Sequence, residues 1–157
     1  MDARVVTGGR DLDEIRSLFE EYAEWVAVDL SFQGFAQELA GLPGDYVAPQ
    51  GTLLLCAVDG AAAGCIAVHR WQAKTCEMKR LYVRPRFQGL GCGRFLVERA
   101  ISWAVEAGYG RMVLDTLPSM AAAQGLYERA GFRDIPPYRS NPVPGARFMA
   151  LELHEGA

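Results

Sequence analysis

Val83-Arg84-Pro85-Arg86-Phe87-Gln88-Gly89-Leu90-Gly91-Cys92-Gly93 is the stretch on which the fold turns. It joins the end of a strand-like run, Met78 to Val83, to a strongly apolar helical segment that begins near Phe95. Glycines at 89, 91 and 93 let the main chain turn tightly and approach a ligand with no Cβ in the way. The N–H groups of such a turn lie where the first turn of a helix has unpaired donors and the positive end of its dipole. That arrangement suits a phosphate or pyrophosphate. Glycines between a strand and a helix can also serve shape alone, so the flanking elements must decide.

Upstream, Leu53 to Val58 is a nearly continuous apolar run, Asp59-Gly60 is a hairpin signal, and Ala63 to Trp71 is a second run. A turn at Gln72 to Lys74 leads into a third strand, Cys76 to Val83, which completes an antiparallel meander. Farther back, residues 4–7 read as a short strand, and Asp11 with Glu14 resembles a capping box. Leu12, Ile15, Phe19, Tyr22 and Val26 recur at spacings of three and four and make one apolar helix face. Glu20, Glu21 and Glu24 fall outside that stripe and read as a solvated face. A second short helix is expected from Gln33 to Leu42, followed by a loop from Pro43 to Gly51.

Downstream, a helix over 94–107 ends at Gly108 and a strand follows from Arg111 to Thr116. Pro118-Ser119 is expected to cap a helix from Met120 to Ala130 that Gly131 closes. Phe132 to Ile135 and Phe148 to Leu153 read as final strands around a loop holding Pro136, Pro137, Pro142 and Pro144. The order predicts one mixed α/β (α+β) domain over residues 1–157, a mostly antiparallel central sheet flanked by helices. A dinucleotide fingerprint would open an early βαβ unit; here the glycines come past mid-chain, after a meander, spaced Gly-x-Gly-x-Gly.

Composition narrows the function classes. The formal charge is −3 with a pI of about 5.4, and no Lys/Arg run is long enough to track phosphates, so nucleic acid is not an expected partner. No basic-then-apolar leader and no apolar stretch of membrane-spanning length is present, so no membrane association is expected. Cys56, Cys65, Cys76 and Cys92 include no Cys-x-x-Cys pair and no His-rich partner segment, which argues against a metal. Such usage fits a reduced, cytoplasmic protein.

Element order and residues together resemble the GCN5-related N-acetyltransferases, the acyl-CoA-dependent GNAT family. Its Gln/Arg-x-x-Gly-x-Gly/Ala signature is similar to Gln88, Gly91 and Gly93, preceded by Val83-x-Pro85. Its later Leu-Tyr-x-x-x-Gly-Phe segment is similar to Leu126, Tyr127, Gly131 and Phe132. A Glu early in the strand before the glycine turn corresponds to Glu77. One departure stands seven residues ahead of Tyr127, where the family often has Asn and this chain has Met120.

The resemblance implies acetyl-CoA as co-substrate and no metal. Its pyrophosphate would meet the turn formed by Gln88, Gly89, Leu90, Gly91, Cys92 and Gly93, with Arg94 and Arg86 flanking it. Its pantetheine arm would lie along the backbone of Leu81, Tyr82 and Val83, with an amide near Leu81 as oxyanion donor. Acyl transfer from a thioester to an amine needs the amine deprotonated, the oxyanion stabilised and the leaving thiolate protonated. Glu77 is the general base this implies, provided burial raises its pKa toward neutrality; the other reading is a strand-edge ion pair. Tyr127 is the implied general acid, and it also lies on the packing stripe Ala123, Leu126, Tyr127, Ala130.

The resemblance also implies that acceptor specificity comes from two loops, Val28 to Gly34, which carries Phe32, and Pro136 to Arg147, which carries Tyr138, Arg139 and Asn141. Phe32, His69, Tyr138 and Asn141 are the candidate acceptor contacts. The loop arginines suggest an acceptor with a carboxylate or phosphate; the alternative is a plain structural loop. The leading expectation is a small-molecule primary amine. A peptide or protein amine and a non-catalytic acyl-CoA-binding module are the alternatives. The short apolar final strands could pair in a homodimer, or form an edge covered within the chain.

Overall fold

The computed structural model describes residues 1–26, 30, 31 and 34–153. Strand β1 (Asp2–Val5) leads to helix α1 (Gly9–Val26), helix α2 (Phe35–Ala40), and the strands β2 (Thr52–Val58), β3 (Ala61–Gln72) and β4 (Thr75–Val83). A single 3-10 turn over Pro85–Phe87 precedes helix α3 (Cys92–Glu106), strand β5 (Arg111–Thr116), helix α4 (Ala121–Ala130) and strands β6 (Arg133–Asp134) and β7 (Arg147–Glu152). The seven strands form one sheet in the order β1-β2-β3-β4-β5-β7-β6. Every pair is antiparallel except β4 with β5. This is the expected mixed architecture.

Hairpin chemistry sets the meander. Asp59 and Gly60 both take positive φ, as a two-residue primed turn requires, and Lys74 does so in the β3–β4 turn. The β3–β4 register brings His69 opposite Glu77. A bulge follows, where Arg80 takes a φ of 63° and the register slips between Ala67↔Lys79 and Cys65↔Tyr82. Strands β4 and β5 pair only at Thr75↔Arg111, Cys76↔Met112 and Glu77↔Val113. Beyond Glu77 the two strands part, and among the described residues the second half of β4 has no strand partner on that side.

Five differences from the sequence reading are local. Strand β1 begins and ends two residues early, and α1 starts at Gly9, which places Asp11 in its first turn instead of at a cap. Helix α2 shrinks to Phe35–Ala40, opened by Gly34 at positive φ. Met120 is the residue at the N-terminal boundary of α4, with no side-chain cap from Ser119. Only Arg133–Asp134 of the penultimate run pairs, because the chain must leave the sheet for the proline loop. Strand β7 lies between β5 and β6, so its apolar residues are consumed within the chain and the feature that suggested dimer pairing is accounted for.

On α1, Ile15, Leu18, Phe19, Tyr22 and Val26 are buried, each contributing roughly 1.5–3 kcal/mol if fully removed from water. Glu21 is not simply solvated: it accepts from Arg84 Nε at 3.1 Å and Nη2 of the same guanidinium at 3.0 Å, tying α1 to the start of the glycine turn. All four cysteines are free and buried, as small hydrophobes.

Candidate active site

Two cavities share a wall on β4. The larger, about 520 Å³, lies between the unpaired half of β4, the glycine turn and the first turns of α3 and α4. Leu81, Tyr82 and Val83 line it from the strand, and Gln88, Gly89, Gly91, Cys92, Gly93 and Arg94 line it from the turn. Leu90 is the one expected member that does not; it is 53% exposed. Gln88 shapes the turn by donating from Nε2 to the Val83 carbonyl at 3.1 Å. Gly89 and Gly91 take φ of 84° and 89°, and a Cβ on either would meet nothing within 4 Å, so conformation and open approach both call for glycine. Gly93 serves packing: a Cβ there would lie 2.9 Å from Leu126 of α4.

Arg94 is mostly spent on Glu98, with Nε to Oε1 at 2.7 Å on the exposed helix surface. Arg86 stacks on Phe87. The sequence reading missed Arg129, on the last turn of α4, and Trp25, at the end of α1; both line the larger cavity. Trp25 is 45% exposed and sits 5.7 Å from the Tyr82 ring. Its exposure at the end of an otherwise apolar stripe was the only local signal. The backbone of β4, the positive-φ glycines and the start of α3 fit an elongated phosphate-bearing thioester: an extended edge for its arm and a donor-rich turn for its phosphates.

Glu77 sits where β4 and β5 part, and it is 0% exposed. Its Oε1 accepts from His69 Nε2 at 2.8 Å and from Arg139 Nη2 at 2.9 Å; its Oε2 accepts from the Tyr138 hydroxyl at 2.6 Å. The strand-edge surface pair is therefore not what forms. The expected rise in pKa is also not what results. Burial pushes the Glu77 carboxyl up, but the bonds from His69 and Tyr138 and the charges of Lys79 and Arg139 outweigh it, leaving the pKa below the ordinary value. Burial, then the neighbouring carboxylate, raises the Tyr138 phenol and keeps it a donor.

The smaller cavity, about 330 Å³, opens beside this carboxylate and is lined by His69, Lys79, Arg139, Tyr46, Glu38 and Asp45, among others. His69 had only strand-end placement in the sequence reading; it faces Glu77 because the register shifts by one between Arg70 and Gln72, whereas the two-residue turn alone would set Arg70 there. Tyr138 reaches the site as a partner of Glu77. Asn141 instead braces its loop, donating to Asp115 Oδ2 at 3.0 Å and accepting from the Val143 amide at 3.0 Å. Phe32 lies outside the described residues.

Tyr127 faces inward from α4, 5% exposed, edge-on to Phe132 at 5.8 Å. Its hydroxyl makes no hydrogen bond among the described residues, and burial raises its pKa, so the phenol keeps its proton. Its neighbours Ala123 and Leu126 line the larger cavity.

Residues 12–132 match the Acetyltransferase (GNAT) family. An uncharacterized N-acetyltransferase of Schizosaccharomyces pombe is 42% identical over 146 residues, 92% of this chain and 90% of that protein. Among solved structures, an acetyltransferase from Streptococcus agalactiae superposes with a TM-score of 0.79 at 20% identity, over 97% of this chain and 98% of that one. A putative acetyltransferase from Salmonella typhimurium, solved with its cofactor acetyl-CoA, gives a TM-score of 0.68 at 24% identity, over 99% and 96% of the two chains. Motifs, splayed strands and family match converge: the chain belongs to the GNAT family and is an acyl-CoA-dependent N-acyltransferase.

Proposed function

We propose that this enzyme moves an acetyl group from acetyl-CoA to the primary amine of a small molecule, within one site that spans both cavities. The observation that carries this reading is their succession along one strand: residues 81–83 of β4 wall the larger cavity and Lys79 of the same strand walls the smaller. Acetyl-CoA, when bound, supplies a thioester carbonyl for the amine to attack. The glycine turn and Arg129 would hold its phosphates, the unpaired edge of β4 would hold its arm, and a backbone amide near Leu81 would serve as a donor to the carbonyl oxygen.

Proton handling falls to Glu77 with His69. Both Glu77 oxygens are engaged and the carboxyl sits below its ordinary pKa, so it is a better anchor than a direct proton acceptor. With the Nε2 proton of His69 held on Glu77, the other ring nitrogen is left to take the proton from the amine, and Glu77 stabilises the cation that forms. Tyr127 holds a proton for the thiolate leaving side. A cavity of about 330 Å³ suits a small amine.

The test is calorimetric binding of acetyl-CoA, followed by thiol release over a panel of amines with wild type, E77Q, H69N and Y127F. Turnover on an amine class that falls about 100-fold or more in each variant while acetyl-CoA affinity persists is the expected result. Tight acetyl-CoA binding with no turnover on any small amine would overturn the small-molecule reading.

A further inference from the structure

Lys79 lends its charge to Glu77 and stands in a long ion pair with Glu38, yet no hydrogen bond holds its ammonium. It lies two residues past Glu77 on β4, its side chain 8% exposed, and it lines the smaller cavity. The near carboxylate, Glu38, is 3.9 Å from Nζ, beyond hydrogen-bonding reach. Glu38 is already held by Arg80, Nε to Oε2 at 2.9 Å and Nη2 to Oε1 at 3.0 Å. Glu77 is held by His69, Arg139 and Tyr138. The Lys79 ammonium therefore makes no hydrogen bond among the described residues.

Arg139 lines the same cavity. One of its terminal nitrogens reaches Glu77, but its Nε is buried with no partner. Buried cationic donors without acceptors are costly, and folded proteins rarely keep them without a reason. Burial, then the charge of Arg80, presses the Lys79 pKa down to about 8 against the opposing pull of Glu77 and Glu38. Lys79 and Arg139 line the same cavity as His69, the group that would receive a proton from the attacking amine.

We infer that Lys79, assisted by Arg139, binds a carboxylate of the acceptor, so that the substrate is a small amine bearing its own carboxylate, as an amino acid does. The inference rests on the acetyltransferase reading of the site and names the acceptor class for it. A carboxylate fits better than a phosphate, because Glu38 and Asp45 line the same cavity and Glu77 lies behind it, and a dianion would face all three.

The experiment has two arms. In the first, initial rates are measured on amino acids, their α-amides and phosphoethanolamine, with wild type, K79M and K79R. Wild type is expected to favour acids over amides at least tenfold in kcat/KM. K79M should abolish most of that preference through the acceptor KM, with the KM for acetyl-CoA unmoved, and K79R should restore part of it. Equal use of acids and amides, a preference that survives K79M, or a phosphorylated amine outperforming every acid overturns the inference.

In the second arm, N-acetylglutamate and N-acetylglycine are titrated calorimetrically into the CoA-loaded protein. Binding in wild type that weakens tenfold or more in K79M supports the carboxylate site even if no amine turns over, in which case only the acetyl-transfer reading fails. No binding of either compound to wild type overturns the carboxylate site, whatever thiol release shows. Methionine keeps the length of the side chain and removes a buried charge, so K79M is expected to melt no lower than wild type.

Discussion

Glu77 and Lys79 are neighbours on one face of β4, and the fold treats their charges in opposite ways. Glu77 is over-supplied with donors, and its lowered pKa makes it a stabilising anion. Its contribution is fully present above the ordinary carboxyl value of 4.5 and is lost as pH falls through the lower folded value. E77Q should therefore show a flatter decline in stability on acidification than wild type, read from denaturant midpoints across the acid range. Its turnover should fall about 100-fold or more, within the range removal of acid–base assistance gives. Lys79 runs the other way. Between its folded value of about 8 and its ordinary 10.5, the unfolded chain holds the proton and the folded chain has released it, so stability rises with pH. The unliganded wild type should gain up to about 3 kcal/mol relative to K79M across that window, since a tenfold difference in proton affinity between the two states is worth about 1.4 kcal/mol. A pH-independent difference between the two proteins would mean that Lys79 is not held in a cation-rich, buried place.

The elements that build the larger cavity depend on close backbone approach, and Gly64 of β3 shows where. A Cβ at Gly64 would fall 2.5 Å from the Tyr82 carbonyl oxygen and 3.3 Å from the Val83 Cα, and no rotamer change relieves a clash with main chain. G64A should cost about 1–3 kcal/mol, a fall in Tm of several degrees, and should weaken acetyl-CoA binding because it displaces residues 82 and 83. An unchanged affinity for acetyl-CoA in a folded G64A protein would count against the β4 edge as its seat. The sequence made these elements legible for a physical reason: strand periods, the Asp59-Gly60 turn and the stops at Gly108 and Gly131 are local features. Positive φ at Asp59, Gly60, Gly108 and Gly131 bears that out. What was not legible joins residues far apart. Glu21 with Arg84 and Glu38 with Arg80 are separated by 63 and 42 positions, and no periodicity in one segment reports a partner in another. The donors around Glu77 fall between these cases. Counting back from the hairpin turn sets Arg70 opposite Glu77, and only the register shift between Arg70 and Gln72 brings His69 there, whereas Tyr138 and Arg139 arrive on a proline loop whose path the sequence does not encode locally.

At the scale of the whole molecule, the smaller cavity is bounded by α2, which a buried ion pair ties to the sheet. Arg80 is 3% exposed, sits on the β4 bulge at a positive φ, and meets Glu38 of α2 through two parallel bonds while Tyr22 and Phe35 cover its guanidinium. The bulge turns this side chain out of the strand's regular alternation, so a local irregularity in the sheet fixes a helix in the opposing layer. Removing one member of such a pair leaves a buried charge short of its partner, which costs about 3–5 kcal/mol, whereas replacing both members with apolar groups of similar size is often neutral. E38A should therefore lower Tm by roughly 6–20 °C, at about 2–4 °C per kcal/mol for a domain of this size. The double variant E38L/R80M should recover most of that loss, with apolar packing in place of the ion pair. Acceptor KM should rise in E38A at temperatures where the protein is still folded, because Glu38 lines the acceptor cavity, while acetyl-CoA affinity is retained, because neither member of the pair lines the larger one. A parallel loss of both affinities would mean that the two cavities are a single mechanical unit and that the anchoring of α2 reaches the glycine turn as well.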